Sequence, residues 1–330
     1  MTIAIVDERP ATAAEWDRLW QASPCATYFH SREWAELWSE YSAGGLCPDA
    51  RIVAFADGAE ALLPVSRQQL ARGLGARTFS SYGGTYGGWL SASELTSAHA
   101  RLLAAHLSGL SANLYWRLNP YDPLALGLAI KGAQSEHTQA IDLRDGFEAV
   151  VRRWSRGHRS SAHKGQRAGV VVRRATSEAD WRAYVAVHEA SRDRWGSALH
   201  VDYRPELFDA LRRRASQHVD LWLAVVDEVI VAGALCFTTP WHTVYWHGGA
   251  LEAYFPLRPV NWLMHELIRD ACERGAGWFD FNPSAGLVGV HEFKQRFGAQ
   301  ELPCPVVSRE TTLAKAARDI RLRTRLRRRA

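Results

Sequence analysis

The chain has 330 residues, 47% hydrophobic and 23% charged, which suits two domains with packed cores and excludes a disordered chain. No run of about 18 or more apolar residues occurs, so the sequence predicts no membrane span. The five cysteines form no CxxC pair and no leader peptide is recognisable, so a cytoplasmic protein with reduced thiols is expected. The thirteen histidines show no metal-ligand spacing, so neither a metal nor a bound cofactor is expected.

The first half of the sequence alternates helical and strand patterns. In chain order it predicts a helix after the capping box Thr12-x-x-Glu15, a helix capped by Ser31, a hairpin over 51–65, a helix near 95–107 and a strand over 113–118. Between the hairpin and the later helix lies a glycine-rich stretch, 82–88. It has no Lys-Ser/Thr ending, so it indicates a close backbone approach or the wall of a substrate channel and not a nucleotide site.

The second half repeats this order of elements. It predicts a helix from the cap at Ser177, a hairpin over 221–237, a strand over 243–246, a helix near 260–273 and a strand over 278–281. The repeat, roughly 165 residues long, indicates two α/β units of the α+β type, each with a mixed sheet flanked by helices. The joint is expected between a strand over 138–143 and a basic helix that Asp145 is predicted to cap.

Basic residues are concentrated in two blocks. One spans 152–174 and contains no acid; the other forms the tail from 318 to 329. Such blocks indicate an anionic partner, although a solvated helix face and a frayed tail would have the same composition. The residues expected to meet a donor or another anion in the first block are Arg156, Arg159 and Lys164.

Two motifs carry a resemblance to a known family. The stretch 154–170 resembles the basic helix, ending in a Gly-Val turn, that opens the second domain of FemAB-like proteins. The stretch Phe279-Asp280-Phe281-Asn282, followed by Phe293-Lys294-x-x-Phe297-Gly298, is similar to that family's strand, loop and Phe-Lys-x-x-Phe-Gly element. The resemblance is best over 145–305. It implies two tandem acetyltransferase-like (GNAT-like) domains with largely antiparallel sheets, at 1–144 and 145–308, followed by a basic helical tail at 309–330.

The resemblance also implies an activity. The family includes transferases that move amino acids from aminoacyl-tRNA to peptidoglycan precursors or small peptides. An acyltransferase that forms an amide on a peptide or small-molecule amine is therefore expected, with aminoacyl-tRNA as the donor. Acyl-CoA is the alternative donor, and a non-catalytic RNA- or anion-binding protein is the alternative class. Where cell-wall members carry a phosphate-binding lysine, this chain has Trp38, which argues against a nucleotide-linked precursor.

Lys294 and Asp280 are the expected catalytic residues. Amide formation requires a neutral amine and a stabilised oxyanion, and Lys294 offers a positive charge in the motif that the family uses for transfer. It would otherwise be a surface lysine between two core phenylalanines. Asp280 alternates with two phenylalanines on a strand, so it points away from them. It is expected to accept a proton or orient the amine, unless it is a hydrogen-bonded acid at the end of a strand.

Aromatic and histidine side chains are the candidates for binding the substrate. They lie on the predicted strands, the second helix and the glycine-rich stretch, where tryptophans serve either as core anchors or as cleft walls: Trp38, Tyr82, Trp246, His247 and Phe293.

The segment 254–261 decides between the donors. A coenzyme A pyrophosphate would meet backbone N–H groups at the start of the helix that follows. Pro256 and Pro259 cannot donate such groups, which weakens a coenzyme A donor, while Arg258 is still expected to meet a phosphate there.

Overall fold

The computed structural model describes residues 3–70, 75–195, 203–284 and 286–316. These residues form two compact units. The first contains the described residues of Met1–His137 and of Pro303–Ala330, and the second contains those of Thr138–Leu302. The basic tail beyond residue 316 lies outside the described residues; residues 312–316 before it are helical.

The first unit contains four α-helices among its described residues before residue 127, in addition to the helical residues 312–316. They are α1 Ala13–Ala22, α2 Arg32–Tyr41, α3 Ser97–Gly109 and α4 Pro123–Leu126. Its strands are β1 Ile5–Pro10, β2 Leu46–Pro48, β3 Arg51–Phe55, β4 Glu60–Leu63, β5 Ser66–Gln69, β6 Ala76–Phe79, β7 Tyr86–Gly87, β8 Asn113–Leu118, β9 Ala133–Gln134 and, from the far end of the chain, β17 Val306–Arg309.

Most strands of the first unit are antiparallel. One sheet has the order β1-β3-β4 and the other the order β2-β5-β6-β8-β17-β9. The parallel pairs are β6 with β8 and β7 with β8. In the chain, helix α3 connects β7 to β8. Helix α3 buries Leu103 and Leu107 against Leu114 and Trp116 of β8, which builds the core of this unit.

The second unit contains six helices among its described residues. They are α5 Phe147–Arg153, α6 Arg156–Arg167, α7 Glu178–Trp195, α8 Pro205–Arg214, α9 Pro259–Glu273 and α10 Val288–Gln295. Its strands are β10 His137–Asp142, β11 Val171–Arg174, β12 Val219–Val226, β13 Val229–Thr238, β14 His242–Ala250, β15 Trp278–Asp280 and β16 Gln300–Pro303.

The sheet of the second unit repeats the plan of the first. Its order is β11-β12-β13-β14-β15-β10-β16, and its parallel pair, β14 with β15, is joined through α9. Each unit thus has a largely antiparallel sheet with a parallel pair connected by a helix, β6-α3-β8 in one and β14-α9-β15 in the other. The fold is therefore two tandem GNAT-like domains with mixed sheets flanked by helices.

One strand of each unit comes from an unexpected part of the chain. Strand β10 lies beside β15 in the second unit, and β17 lies beside β8 in the first. With domains at 1–144 and 145–308, β10 was expected in the first domain and most of β17 in the second. In the structure β10 belongs to the second unit and β17 to the first. The pairing is long-range in sequence, so local patterns do not indicate it.

Local signals place several elements as predicted. Thr12 accepts a hydrogen bond from the Glu15 backbone N–H, and the Glu15 side chain accepts one from the Thr12 N–H, which confirms the capping box. Ser31 caps α2 through the Trp34 N–H. The hairpins β3–β4 and β12–β13 are also confirmed. In the second hairpin Asp227 and Glu228 both have positive φ, as a tight two-residue turn requires.

The predicted basic helix is instead two helices, so that expectation was wrong. Helix α5 begins after Gly146, not at a cap by Asp145, and ends before Trp154. Helix α6 then starts at a new cap, where the Ser155 hydroxyl accepts a hydrogen bond from the His158 N–H. A Ser side chain competes for backbone donors and favours a fresh helix start over a continuous helix.

Candidate functional site

The site of the second unit lies where β14 and β15 separate. The two strands are paired only from His242 and Trp278 to Val244 and Asp280. Beyond this point β14 continues along β13 to Ala250, while the chain leaves β15 in a turn. The carboxyl end of β15 therefore borders an opening between two parallel strands.

Asp280 is buried at this end of β15. Its neighbours Phe279 and Phe281 both belong to the apolar core beneath α9, so strand alternation turns Asp280 to the other face. The carboxylate is 0% exposed. Its Oδ1 accepts a 2.7 Å hydrogen bond from the Thr138 hydroxyl of β10 and another of 2.7 Å from the Asn282 N–H. Asp280 is thus a buried, hydrogen-bonded acid at the end of its strand, which was the alternative to its expected role as a catalytic residue.

Asn282 connects three elements around the opening. Its φ is +60°, a left-handed conformation that Asn tolerates better than most residues. Its Nδ2 donates to the backbone O of Tyr245 on β14 at 3.2 Å. Its own backbone O accepts a 2.6 Å hydrogen bond from Lys294 Nζ.

Lys294 lies on α10 and is only 4% exposed. Burial lowers the pKa of Lys294 to about 8 from its usual 10.5, and the Asp280 carboxylate opposes part of this effect. The ammonium has three N–H donors, and the structure describes one partner, Asn282 O. A buried, charged donor with capacity to spare is suited to stabilising negative charge on a substrate oxygen.

The other side of α10 is fixed by aromatic packing. Phe293 is half-buried and Phe297 fully buried, and the His158 ring of α6 lies 5.2 Å and 4.5 Å from their centroids. The end of α10 is also tied to α6, because the Ser155 N–H donates to Arg296 O at 2.9 Å. Phe293 therefore contributes to the support of Lys294 and packs against the core.

His158 is a titratable residue that the sequence did not single out. Burial, together with Arg296 and Arg258, lowers the pKa of His158 to about 4. Its Nε2 is buried and has no hydrogen-bond partner among the described residues. A neutral ring is therefore favoured between the two phenylalanines, since a charged one would lack a counter-ion.

Trp246 and His247 lie on β14 beyond the separation of the strands. Leu235 pairs with His247 and Cys236 with Tyr245, so Trp246 is the extra residue of a β-bulge. His247 Nδ1 lies 2.6 Å from the Tyr184 hydroxyl of α7. Burial and the nearby His188 lower the pKa of His247 well below its usual value, which keeps the ring neutral. The half-buried Trp246 ring lies 5.4 Å from that of Phe237.

Trp38 and Tyr82 lie together in the first unit. Trp38 is 4% exposed, and its ring lies 4.7 Å from that of Tyr82, which is half-buried. Gly83 has a φ of +80°, and a Cβ there would stand 2.9 Å from Trp38 Cζ2. The glycine-rich stretch thus allows the close backbone approach that was predicted, and Trp38 is a core anchor of α2.

The predicted anion-binding residues lie on one helix and next to its neighbour. Helix α6 buries His158, Ala162 and Gly165 on one side. Its other side carries a basic surface made of Arg156, Arg159, His163, Lys164 and Arg167, which are exposed except for the half-buried Arg159. None of these five has an ion-pair partner among the described residues. Arg152, which belongs to α5, is not part of this surface.

The start of α9 is poor in free backbone donors. Pro259 is its first residue, and Pro256 lies in the 3₁₀ turn Glu252–Leu257 before it. Exposed Arg258 precedes the helix with a φ of +57°. Helix α6 packs closely here, since a Cβ on Gly165 would stand 2.9 Å from Arg258 O. A phosphate at this helix start would meet one N–H fewer than usual.

Within residues 3–70, 75–195, 203–284 and 286–316, no three His, Cys, Asp or Glu side chains are grouped as metal ligands. Over the same residues, no helix has both the length and the apolar character needed to cross a bilayer.

Three contributors to the Lys294 site were not predicted from the sequence. Thr138 and Tyr245 contact it from strands distant in sequence, for which no local signal exists. Asn282 did have a local signal. It directly follows a buried strand, where the chain must turn, and Asn is common in the left-handed conformation at such places.

Comparisons with known proteins agree with this architecture. The family model described as "Acetyltransferase (GNAT) domain" matches residues 151–295, which lie within the second unit. A search of curated protein sequences finds no match. Among solved structures, FemX is similar over 91% of this chain and 97% of its own, with a TM-score of 0.70 and 12% identity.

Two further structures share the fold. A conserved protein of unknown function from Bacteroides thetaiotaomicron VPI-5482 is similar over 93% of this chain and 100% of its own, with a TM-score of 0.61 and 11% identity. L-PGS from Bacillus licheniformis is similar over 86% of this chain and 94% of its own, with a TM-score of 0.50 and 14% identity. Residues 151–295 therefore match a GNAT acetyltransferase domain, and the described residues share the fold of FemX.

Proposed function

We propose that the protein forms an amide by transferring an acyl group to the amine of a peptide or small molecule, with Lys294 stabilising the oxyanion. The observation that carries the proposal is the buried Lys294 Nζ, held by Asn282 O at the opening between β14 and β15. Below about pH 8 this group is protonated and has two further N–H donors for a substrate oxygen.

The proposed reaction has an addition step and an elimination step. The neutral amine attacks the acyl carbonyl carbon, a C–N bond forms, and the carbonyl oxygen becomes negative next to Lys294. The bond from the acyl carbon to the donor oxygen or sulfur then breaks, and the proton lost by the amine goes to that leaving group. Asp280 is proposed to serve Lys294 instead of the amine, since its carboxylate is enclosed and favours the charged lysine.

The preferred donor is an aminoacyl-tRNA. The basic surface of α6 has no acidic partners among the described residues, and a polyanion would offset its mutual repulsion. The start of α9, with Pro259 as first residue and Pro256 before it, is a poor pyrophosphate site.

A thioester donor such as acyl-CoA is the second candidate. The match of residues 151–295 to a GNAT acetyltransferase domain favours it. A non-catalytic RNA- or anion-binding protein is a third, and the buried charge of Lys294 argues against it, because burying a cation without a function is costly.

One parallel assay distinguishes the three. Purified protein is supplied with pools of charged tRNA or with acyl-CoA, together with panels of amines and short peptides, and amide products are detected by mass spectrometry. Amide formation from tRNA alone supports the preferred donor, and formation from acyl-CoA alone supports the second. Binding of tRNA without product from either donor would contradict the enzyme proposal.

A further inference from the structure

Three polar groups of Asn282 form hydrogen bonds in different directions. Its N–H donates to Asp280 on β15 at 2.7 Å, its Nδ2 donates to Tyr245 O on β14 at 3.2 Å, and its backbone O accepts from Lys294 Nζ at 2.6 Å. One residue in the left-handed conformation therefore joins the two separating strands to the helix that carries the lysine.

The bond to Tyr245 lies where strand pairing has ended. The pairing of β14 with β15 stops at Val244 and Asp280, so it does not fix the distance between the residues that follow on the two strands. The Asn282 amide crosses this gap to the residue after Val244. Because the same residue presents the carbonyl that holds Lys294, fixing its side chain also fixes where the ammonium lies.

We propose that Asn282 is a positioning residue, whose amide bond to Tyr245 holds Lys294 Nζ at the opening between β14 and β15 for acyl transfer. The proposal rests on the proposed function and adds to it the residue that sets the geometry of Lys294. Asn282 acts through Lys294 and through the turn after β15, and not by contact with the reacting atoms.

The electrostatic surroundings of Lys294 allow a specific readout. From β15 the charged Asp280 favours the protonated lysine, while burial disfavours it. Tyr245 of β14, whose pKa is raised by burial, contacts Asn282 through its backbone O. The neutral ring of His158 lies on the other side of α10, against Phe293 and Phe297. On α10 itself, His291 is paired with Glu301 at 2.6 Å. A loosened turn would let water reach Lys294, and its pKa would rise towards the ordinary value of a lysine.

Two variants test the role of the amide. Asn282→Gly keeps the left-handed backbone and the carbonyl but removes Nδ2. Asn282→Asp keeps the size, removes the donor and places a negative charge against the Tyr245 carbonyl. We expect kcat to fall about tenfold or more in both, with KM for the amine within about twofold of wild type. The alkaline limb of the pH–rate profile should move from about 8 to higher pH.

The matched control is Asp227→Gly, which replaces another left-handed residue, in the β12–β13 turn. It should leave kcat and the pH profile unchanged. Thermal unfolding shows which variants are folded. A folded Asn282→Gly or Asn282→Asp protein with wild-type kcat, or with reduced kcat but an unmoved alkaline limb, would overturn the positioning role. The proposed function has a separate test, and it is contradicted if Lys294→Met transfers the acyl group at the wild-type rate.

Discussion

Lys294 Nζ donates a 2.6 Å hydrogen bond to the backbone O of Asn282. This contact joins a helix to the turn that follows the central parallel strand, and it places a cation in an interior that disfavours charge. The consequences of this burial can be measured both in catalysis and in stability.

Replacing Lys294 with Met is expected to slow acyl transfer by a factor of about 100 to 1000, corresponding to the roughly 3 to 4 kcal/mol that one oxyanion donor supplies. Methionine retains the length of the side chain, so packing beside Phe293 is largely preserved. Single-turnover rates of amide formation are the measurement. The control is Lys131→Met, which removes an exposed lysine of the first unit and should leave the rate unchanged. A rate for Lys294→Met within a few-fold of wild type would refute the assignment.

The burial of Lys294 also predicts how stability depends on pH. Because the folded-state pKa, about 8, is lower than the usual 10.5, the unfolded chain binds more protons between these values. The cost of burying the charge is fully present below pH 8 and is relieved as pH rises to 10.5. Relative to Lys294→Met, the wild-type free energy of unfolding should therefore rise by roughly 3 kcal/mol across this window.

Urea unfolding of both proteins at pH 7.5 to 10.5 measures this difference, since other titrating groups contribute equally to each. Parallel curves for the two proteins would mean that Lys294 is hydrated in the folded state.

His158 should destabilise the protein in acid. Its folded-state pKa of about 4 lies below the usual 6.5, so the unfolded chain takes up its proton first and stability falls as pH drops through this range. His158→Phe retains an aromatic ring between Phe293 and Phe297. From pH 7 to pH 4, its free energy of unfolding should fall by about 1 to 2 kcal/mol less than that of the wild type. Thermal melts at a series of pH values provide the test, and an equally steep acid loss in the variant would contradict it.

The basic surface of α6 should set the affinity for charged tRNA and its salt dependence. Replacing Arg156 and Arg159 with Gln should weaken binding and reduce the slope of log affinity against log salt by up to about one per lost phosphate contact. The matched control is the double change Arg182→Gln and Arg269→Gln, which removes two positive charges that are paired with Glu178 and Glu266. If the two double variants weaken tRNA binding equally, only the net charge of the protein matters. If neither changes the affinity, the basic surface of α6 does not bind tRNA.

Coenzyme A derivatives should bind weakly, because Pro259 removes an N–H group from the start of α9 and Pro256 lies in the turn before it. Isothermal titration calorimetry with acetyl-CoA is expected to show no binding tighter than about 1 mM, equivalent to roughly 4 kcal/mol. Micromolar binding that competes with turnover would favour the thioester donor instead. In that case Arg258→Gln should weaken it, since this side chain is the exposed cation beside the helix start.

Much of the fold follows from signals that are local in sequence. The capping box at Thr12, the serine cap of α2 and the tight turn at Asp227 each depend on residues within three or four positions of one another. The same is true of strand alternation at Asp280, which indicated that its side chain leaves the core face. These features were predictable because their geometry is set by neighbouring residues.

The basic segment shows where such reasoning fails. Arginines at regular spacing predicted one helix from Asp145 onward, but Ser155 caps a second helix and separates Arg152 from Arg156. Charge spacing fits one helix or two equally well, whereas a hydroxyl that accepts a backbone N–H decides where a helix begins.

Patterns in the sequence were enough to predict the repeated order of elements, the local caps and turns, and Lys294 and Asp280 as candidate site residues. Tertiary structure alone decided that β10 and β17 complete the sheets of the second and the first unit. It also decided that Lys294 is buried and held by Asn282, and that Thr138 bonds to Asp280 from 142 positions away. Strand pairing and the burial of a charge depend on residues that are distant in sequence and meet only in the folded chain, so no local pattern encodes them.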